Sequence, residues 1–91
     1  MGYPVQNNEK EQRFEIETSG EKAFLEYRHY HNDIALMHTS VPESLNGKGI
    51  ASALAQFALD WARTHNKKVK VYCPFVATYL KRHPEYTNII L

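Results

Sequence analysis

The sequence predicts a single α+β domain with its elements in the order βββ-α-β-α. The first half of the chain carries three segments in which apolar and polar residues alternate, separated by short polar turns. The second half carries a long apolar stripe at helical spacing, then a short alternating segment and a second helical segment. At 91 residues the chain has room for one hydrophobic core.

In the first half, three strands are predicted to form an antiparallel meander. Residues 1–12 are polar, and we expect them to be a loose N-terminal segment before a single domain over 13–91. The predicted strands cover residues 13–17, 22–30 and 34–41. Strict alternation in the third strand would place Ile34, Leu36 and His38 on one face.

The second half predicts two helices around a fourth strand. The first helix begins at Ile50, ends near His65 and carries one apolar stripe, formed by Ile50, Leu54, Phe57, Ala58, Trp61 and Ala62. A strand over 68–72 follows it and should therefore run parallel to the third strand, through a right-handed crossover. Residues 75–83 predict the second helix, which Pro84 stops, and the apolar residues 89–91 predict a short closing strand.

Composition and charge exclude several classes of protein. A chain that is 43% hydrophobic and 23% charged is not largely disordered. The net charge of +1 argues against nucleic-acid and membrane-surface partners. The single cysteine cannot form an internal disulfide, and neither a signal peptide nor a membrane-spanning run is recognisable. We therefore expect a cytoplasmic protein with no nucleic-acid or membrane partner, of undetermined oligomeric state.

The strongest chemical signal is the loop Asn46-Gly47-Lys48-Gly49, which opens the first helix. Glycines let a ligand approach the backbone closely, and the free N–H groups of a first helical turn favour an anion. Lys48 adds a positive charge, so a phosphate or pyrophosphate would suit this loop. The alternative is a plain turn in which glycine supplies a positive φ. The spacing fits neither a Walker A loop nor a dinucleotide fingerprint.

Cys73 and His38 are the candidate reactive residues. Cys73 lies between a strand and a helix, where a thiol can act as a nucleophile; alternatively it lines a pocket or is a small buried apolar residue. His38 is predicted to approach Cys73, as a base for the thiol or for an incoming amine, the alternative being a structural histidine. His29 and His31 have no evident further ligands at suitable spacing, so we expect no metal site.

Three segments together resemble the GNAT-type N-acetyltransferases, and more closely their very small YjdJ-like branch. They are His38-Thr39, the glycine loop with Ile50-Ala51-Ser52-Ala53-Leu54, and Cys73-Pro74-Phe75-Val76 leading into His83-Pro84-Glu85-Tyr86. The resemblance runs from about 34 to 86, over half of the chain. The family motif usually begins with Arg or Gln, where this chain has Asn46, which should weaken one phosphate contact.

The resemblance implies a minimal GNAT-like fold in which the parallel third and fourth strands splay apart. It implies an enzyme that transfers acetyl from acetyl-CoA to an unidentified amine. The alternatives are a non-catalytic module that binds CoA or acyl-CoA, and a protein-interaction domain without a cofactor. The residues implied to bind the cofactor are Thr39, Val41, Asn46, Gly47, Lys48, Gly49, Ile50, Ala51, Ser52, Tyr79 and Arg82.

For catalysis, the resemblance implies His38 as the base and Cys73 as nucleophile or acid. Direct attack by the amine and an acetyl-cysteine intermediate both stay open. Backbone N–H groups near Val41 are the expected oxyanion donors. Larger members often place a proton-donating tyrosine on the last helix; that position falls near Leu80 here, one residue from Tyr79.

Overall fold

The computed structural model describes residues 3–91, in which five strands form one sheet in chain order. The strands are β1 (Gln6–Asn8), β2 (Arg13–Thr18), β3 (Glu21–Tyr30), β4 (Asp33–Ser40) and β5 (Val69–Val71). Strands β1 to β4 pair antiparallel, and β5 pairs parallel with β4. The predicted α+β class, the antiparallel meander and the parallel pair are confirmed; the predicted third and fourth strands are β4 and β5.

Two α-helices follow the meander, at the places that the sequence indicates. Helix α1 (Ile50–Thr64) connects β4 to β5, and α2 (Pro74–Arg82) follows β5. Asn66, just beyond α1, has a φ of 57°, as its tolerance of the left-handed region predicts. Pro74 starts α2, where its missing N–H costs no hydrogen bond. Within residues 3–91, neither helix is long and apolar enough to cross a membrane.

The hydrophobic core lies between α1 and one face of the sheet. Alternate residues of β2 and β3 supply the sheet side of the core, namely Phe14, Ile16, Ala23, Leu25 and Tyr27. Leu54 and Leu59 of α1 are fully buried against them, whereas Phe57 and Trp61 lie at the rim. We call the other side of the sheet, away from α1, the open face.

Part of the N-terminal segment is not loose, contrary to expectation. Residues 6–8 pair with β2 in a register that runs from Gln6 opposite Glu15 to Asn8 opposite Arg13. The Tyr27 hydroxyl donates a hydrogen bond to Asn7 Oδ1 at 2.7 Å. A strand of three polar residues carries no alternation signal in the sequence. Residues 1 and 2 of the expected loose segment lie outside the described residues.

A β-bulge in β4 changes which side chains share a face. Tyr27 of β3 pairs with Leu36, but the preceding residue, Glu26, pairs with His38, so Met37 is an extra residue in β4. The insertion reverses the alternation beyond it. Thr39 pairs with the buried Leu25, whereas His38 is exposed on the open face. The prediction that His38 shares a face with Ile34 and Leu36 is therefore wrong.

The predicted closing strand at residues 89–91 is only partly realised. Pro84–Ile89 forms a 3₁₀ helix, and a single parallel bridge joins Ile90 to Val69. The Leu91 N–H donates to the Val69 carbonyl at 2.9 Å. The C-terminus thus adds one bridge beside β5 rather than a sixth strand.

Replacing Leu54 with alanine should destabilise the domain by about 2–5 kcal/mol, because the side chain is fully buried and would leave a cavity. Urea denaturation measures this change. The matched control is Gln56→Ala on the exposed side of α1, which should alter the free energy of unfolding by less than about 0.5 kcal/mol. Equal stabilities of the two variants would contradict the position assigned to the core.

Candidate functional site

The strands β4 and β5 separate beyond Leu36, which opens a gap in the sheet. Their pairing covers only Ile34 to Leu36 opposite Val69 to Val71, although β4 continues to Ser40. The Leu36 carbonyl accepts hydrogen bonds from the N–H groups of Tyr72, at 2.9 Å, and Cys73, at 3.1 Å. Beyond this point β5 turns away into α2. The second half of β4 therefore has an edge that β5 does not cover, which is the predicted splaying.

Cys73 lies at this gap, buried, with Thr39 as its neighbour. The Thr39 Oγ1 and Cys73 Sγ atoms are 3.1 Å apart, and either group can be the donor. The Cys73 side chain is 2% exposed, and its residue is the N-cap of α2. The contact arises because the bulge turns Thr39 toward the helix side of the sheet. The structure thus brings Cys73 together with Thr39, not with His38 as predicted.

His38 instead lies on the open face, beside charged and aromatic neighbours. Its cross-strand partner is Glu26, whose carboxylate pairs with Arg28 at 3.0 Å. The ring centroid of Phe24 is 6.3 Å from that of His38, in an edge-on arrangement. The His38 side chain is therefore accessible from the open face.

The glycine loop has the backbone conformation that only glycine adopts easily. Gly47 and Gly49 have φ values of 77° and 76°, in the left-handed region. A Cβ atom built on either residue would meet no atom within 4 Å beyond those of its own chain neighbours. Backbone geometry rather than internal packing therefore favours glycine here, and the space beside the loop is open to a ligand.

The first turn of α1 presents unpaired donors next to this space. The first carbonyl of the helical ladder is that of Gly49, which accepts from the Ala53 N–H at 3.0 Å. The N–H groups of Ile50, Ala51 and Ser52 precede this bond and have no intrahelical acceptor. Together with the helix dipole they favour an anionic group.

Two adjoining cavities form one groove, which we call the loop groove. The first has a volume of about 340 Å³ and is lined by Val41, Leu45, Asn46, Gly47, Gly49, Ile50, Ala51, Ser52 and Phe75. The second, of about 330 Å³, is lined by Ser52, Phe75, Thr78, Tyr79, Arg82 and His83. Ser52 and Phe75 line both, so the groove runs from the glycine loop to the end of α2.

All the predicted cofactor-binding residues except Thr39 and Lys48 line the loop groove. Thr39 lies at the gap beside Cys73, and Lys48 is an exposed member of the loop. Phe75 lines both cavities, although the sequence assigned it no role. The residue is 37% exposed, and its place directly after Cys73-Pro74 was the available signal.

Tyr79 stacks on His83 at the far end of the groove, with ring centroids 4.1 Å apart. Burial raises the pKa of the Tyr79 phenol, and the nearby carboxylates of Asp60 and Glu85 act in the same direction. The phenol is therefore protonated at neutral pH and can serve as a proton donor.

Among residues 3–91, no three or more His, Cys, Asp or Glu side chains are grouped so that they could hold a metal ion. His29 and His31 are both exposed, and the φ of 58° at His31 marks the turn between β3 and β4.

Comparison with known proteins gives one consistent result. A family model described as GCN5-related N-acetyl-transferase matches residues 13–89. Protein NATD1 of Danio rerio is 33% identical over 96% of this chain and 84% of its own length, and Protein NATD1 of Gallus gallus is 33% identical over 92% and 81%. The NMR solution structure of a GCN5-like protein from Staphylococcus aureus superposes with a TM-score of 0.75 at 26% identity, covering 99% of this chain and 89% of that one.

The raised pKa of Tyr79 predicts a loss of stability at alkaline pH. In the unfolded chain tyrosine ionises near pH 10, while the folded protein keeps Tyr79 neutral to higher pH. The contribution of the neutral Tyr79 phenol to the stability of the fold is complete below about pH 10. It is lost as the pH rises through the pKa of Tyr79 in the folded protein. Urea denaturation at pH 8 and pH 11 should therefore show a smaller drop in stability for Tyr79→Phe than for wild type. An equal drop in stability for the two proteins would contradict the raised pKa of Tyr79. The difference between them at pH 8 measures the effect of removing the hydroxyl itself.

Proposed function

The chain belongs to the GCN5-related N-acetyltransferase family, and from this premise we propose that it transfers acetyl from acetyl-CoA to an amine. The observation that carries the proposal is the loop groove. One half of the groove presents the glycine loop and the first N–H groups of α1 to an anion. The same half reaches the end of β4, because Val41 also lines it. A cofactor with a pyrophosphate at one end and a thioester at the other fits such an arrangement.

The residues that would hold acetyl-CoA divide by chemistry. The backbone of Gly47 to Ala51 would bind the pyrophosphate, where open space beside both glycines leaves room for it. The uncovered edge of β4 near Thr39 and Val41 would pair with the amides of the pantetheine arm, as an added strand does. Tyr79 and Arg82 line the other half of the groove, where Arg82 would contribute a positive charge.

Asn46 departs from the Arg or Gln usual at the start of the family motif, but this leaves the proposal intact. Its side chain is exposed, and it carries no charge to offer a phosphate. The binding groups proposed for the pyrophosphate are backbone N–H groups, which do not depend on the side chain at this position. The substitution should therefore weaken binding rather than abolish it.

The chemistry requires a base for the acceptor ammonium and donors for the oxyanion. Bound acetyl-CoA would supply the acetyl group as a thioester. We assign the base to His38, whose exposed imidazole would take the proton of an amine that arrives from the open face. Backbone N–H groups near Val41 would stabilise the oxyanion, and CoA would leave as the thiolate.

We favour direct attack by the amine over an acetyl-cysteine intermediate. A cysteine nucleophile needs a neighbouring base, but His38 lies on the open face whereas Cys73 is buried on the helix side beside the Thr39 hydroxyl. In this proposal Cys73 and Thr39 shape the gap instead of carrying the acetyl group.

Incubation with acetyl-CoA followed by intact-mass measurement separates the two routes. Direct transfer predicts that wild type and Cys73→Ser remain equally unmodified, because no acetyl group rests on the thiol. An acetyl adduct that forms on wild type, is absent from Cys73→Ser and disappears on addition of amines would establish the acetyl-cysteine route.

Isothermal titration with CoA tests the glycine loop through a matched pair of variants. Gly47 and Gly20 have φ values of 77° and 75°, and neither has protein atoms near its Cβ position. Alanine should strain both backbones equally, by about 1–2 kcal/mol. Only Gly47→Ala places a methyl group where the phosphate would approach, so it alone should weaken CoA binding, by about tenfold or more.

Equal CoA affinities of the two variants would contradict the assigned site, and no binding by wild type would refute the proposed function. Release of free thiol from acetyl-CoA, measured with a panel of primary amines, completes the test. Binding without amine-dependent release would make the chain a CoA-binding module rather than an enzyme.

A further inference from the structure

We infer that Tyr3, outside the segment that the family model matches, is a positioning residue for the glycine loop; this inference rests on the proposed function. The Tyr3 hydroxyl donates a hydrogen bond to the Lys48 carbonyl at 2.8 Å. The two residues are 45 positions apart in the sequence. The contact thus joins the N-terminal segment directly to the middle of the loop.

The N-terminal segment holds Tyr3 in a defined place. Tyr3 and Val5 pack against the hydrophobic core, and β1 pairs with β2 immediately afterwards. The Tyr27 hydroxyl binds Asn7, and Asn8 Nδ2 donates to Glu15 Oε2 at 3.2 Å. Because backbone and side chains both anchor this segment, the hydroxyl is a fixed point on the sheet from which the loop can be held.

The hydrogen bond controls the orientation of one peptide group. In a planar trans peptide the N–H points away from the carbonyl, so holding the Lys48 carbonyl also sets the direction of the Gly49 N–H. Rotation of this peptide changes ψ of Lys48 and φ of Gly49. Glycine accepts either sign of φ, so Gly49, now at 76°, would resist the rotation only weakly. The hydrogen bond from Tyr3 supplies a resistance to this rotation that the loop residues alone do not provide.

The orientation matters because Gly49 lines the loop groove. A rotated peptide would exchange the positions of an N–H donor and a carbonyl oxygen, and a carbonyl oxygen repels an anion. Two residues before the loop, Ser44 Oγ donates to Glu21 Oε2 at 2.8 Å, so a second contact holds the chain that leads into the loop. When a loop is already held in its binding conformation, ordering it costs less free energy as the ligand binds.

The test is Tyr3→Phe, which keeps the packed ring and removes only the hydroxyl. We expect CoA to bind about three- to tenfold more weakly, the effect of one lost hydrogen bond, with a fall in melting temperature of no more than a few degrees. The Gly49 amide resonance of the uncomplexed protein should shift or broaden. Tyr30→Phe is the matched control: Tyr30 lies at the end of β3 away from the loop, and both readouts should stay unchanged.

Equal CoA affinities of wild type and Tyr3→Phe would overturn the inference while leaving the proposed function intact. A weaker affinity accompanied by a large fall in melting temperature and by resonance changes throughout the core would also overturn it, since Tyr3 would then act only on the fold. Absence of CoA binding by wild type would refute the proposed function itself, and with it the role given to Tyr3.

Discussion

The arrangement of the site depends on where β4 stops pairing with β5. The parallel ladder ends at Leu36, and the next residue, Met37, is the extra residue of a bulge. Bulges bend a strand and reverse the alternation of its side chains. One insertion therefore accompanies the gap between the strands, turns Thr39 toward Cys73 and moves His38 to the open face.

This geometry separates two chemical environments across one sheet. The helix side carries the loop groove, whose glycine loop and free helix N–H groups suit a cofactor with phosphates. The open face carries His38 beside Glu26, which suits an ammonium that must lose a proton. Under the proposed function the two substrates meet at the gap from opposite faces. A chain of 91 residues can hold both binding regions because the sheet itself lies between them.

Elements with a strong periodic pattern could be predicted, whereas elements without one could not. The alternation in β2 and β3 and the apolar stripe of α1 place these elements within a residue or two of their observed bounds. The three residues of β1 are polar and show no such pattern, and the bulge at Met37 has no local signal. The glycine loop could be recognised because the residues that form it are consecutive in the sequence. Its contact with Tyr3 could not, because tertiary packing alone creates it.

The most direct test of the central claim, that the loop groove binds acetyl-CoA, is a titration of the ¹⁵N-labelled protein with CoA, followed by NMR. We predict that the largest changes occur in the amides of residues 46–52 and beside Val41, with smaller changes near Arg82 at the far end of the groove. Changes confined to the open face around Glu15 and Lys22, or no change at all, would contradict the account.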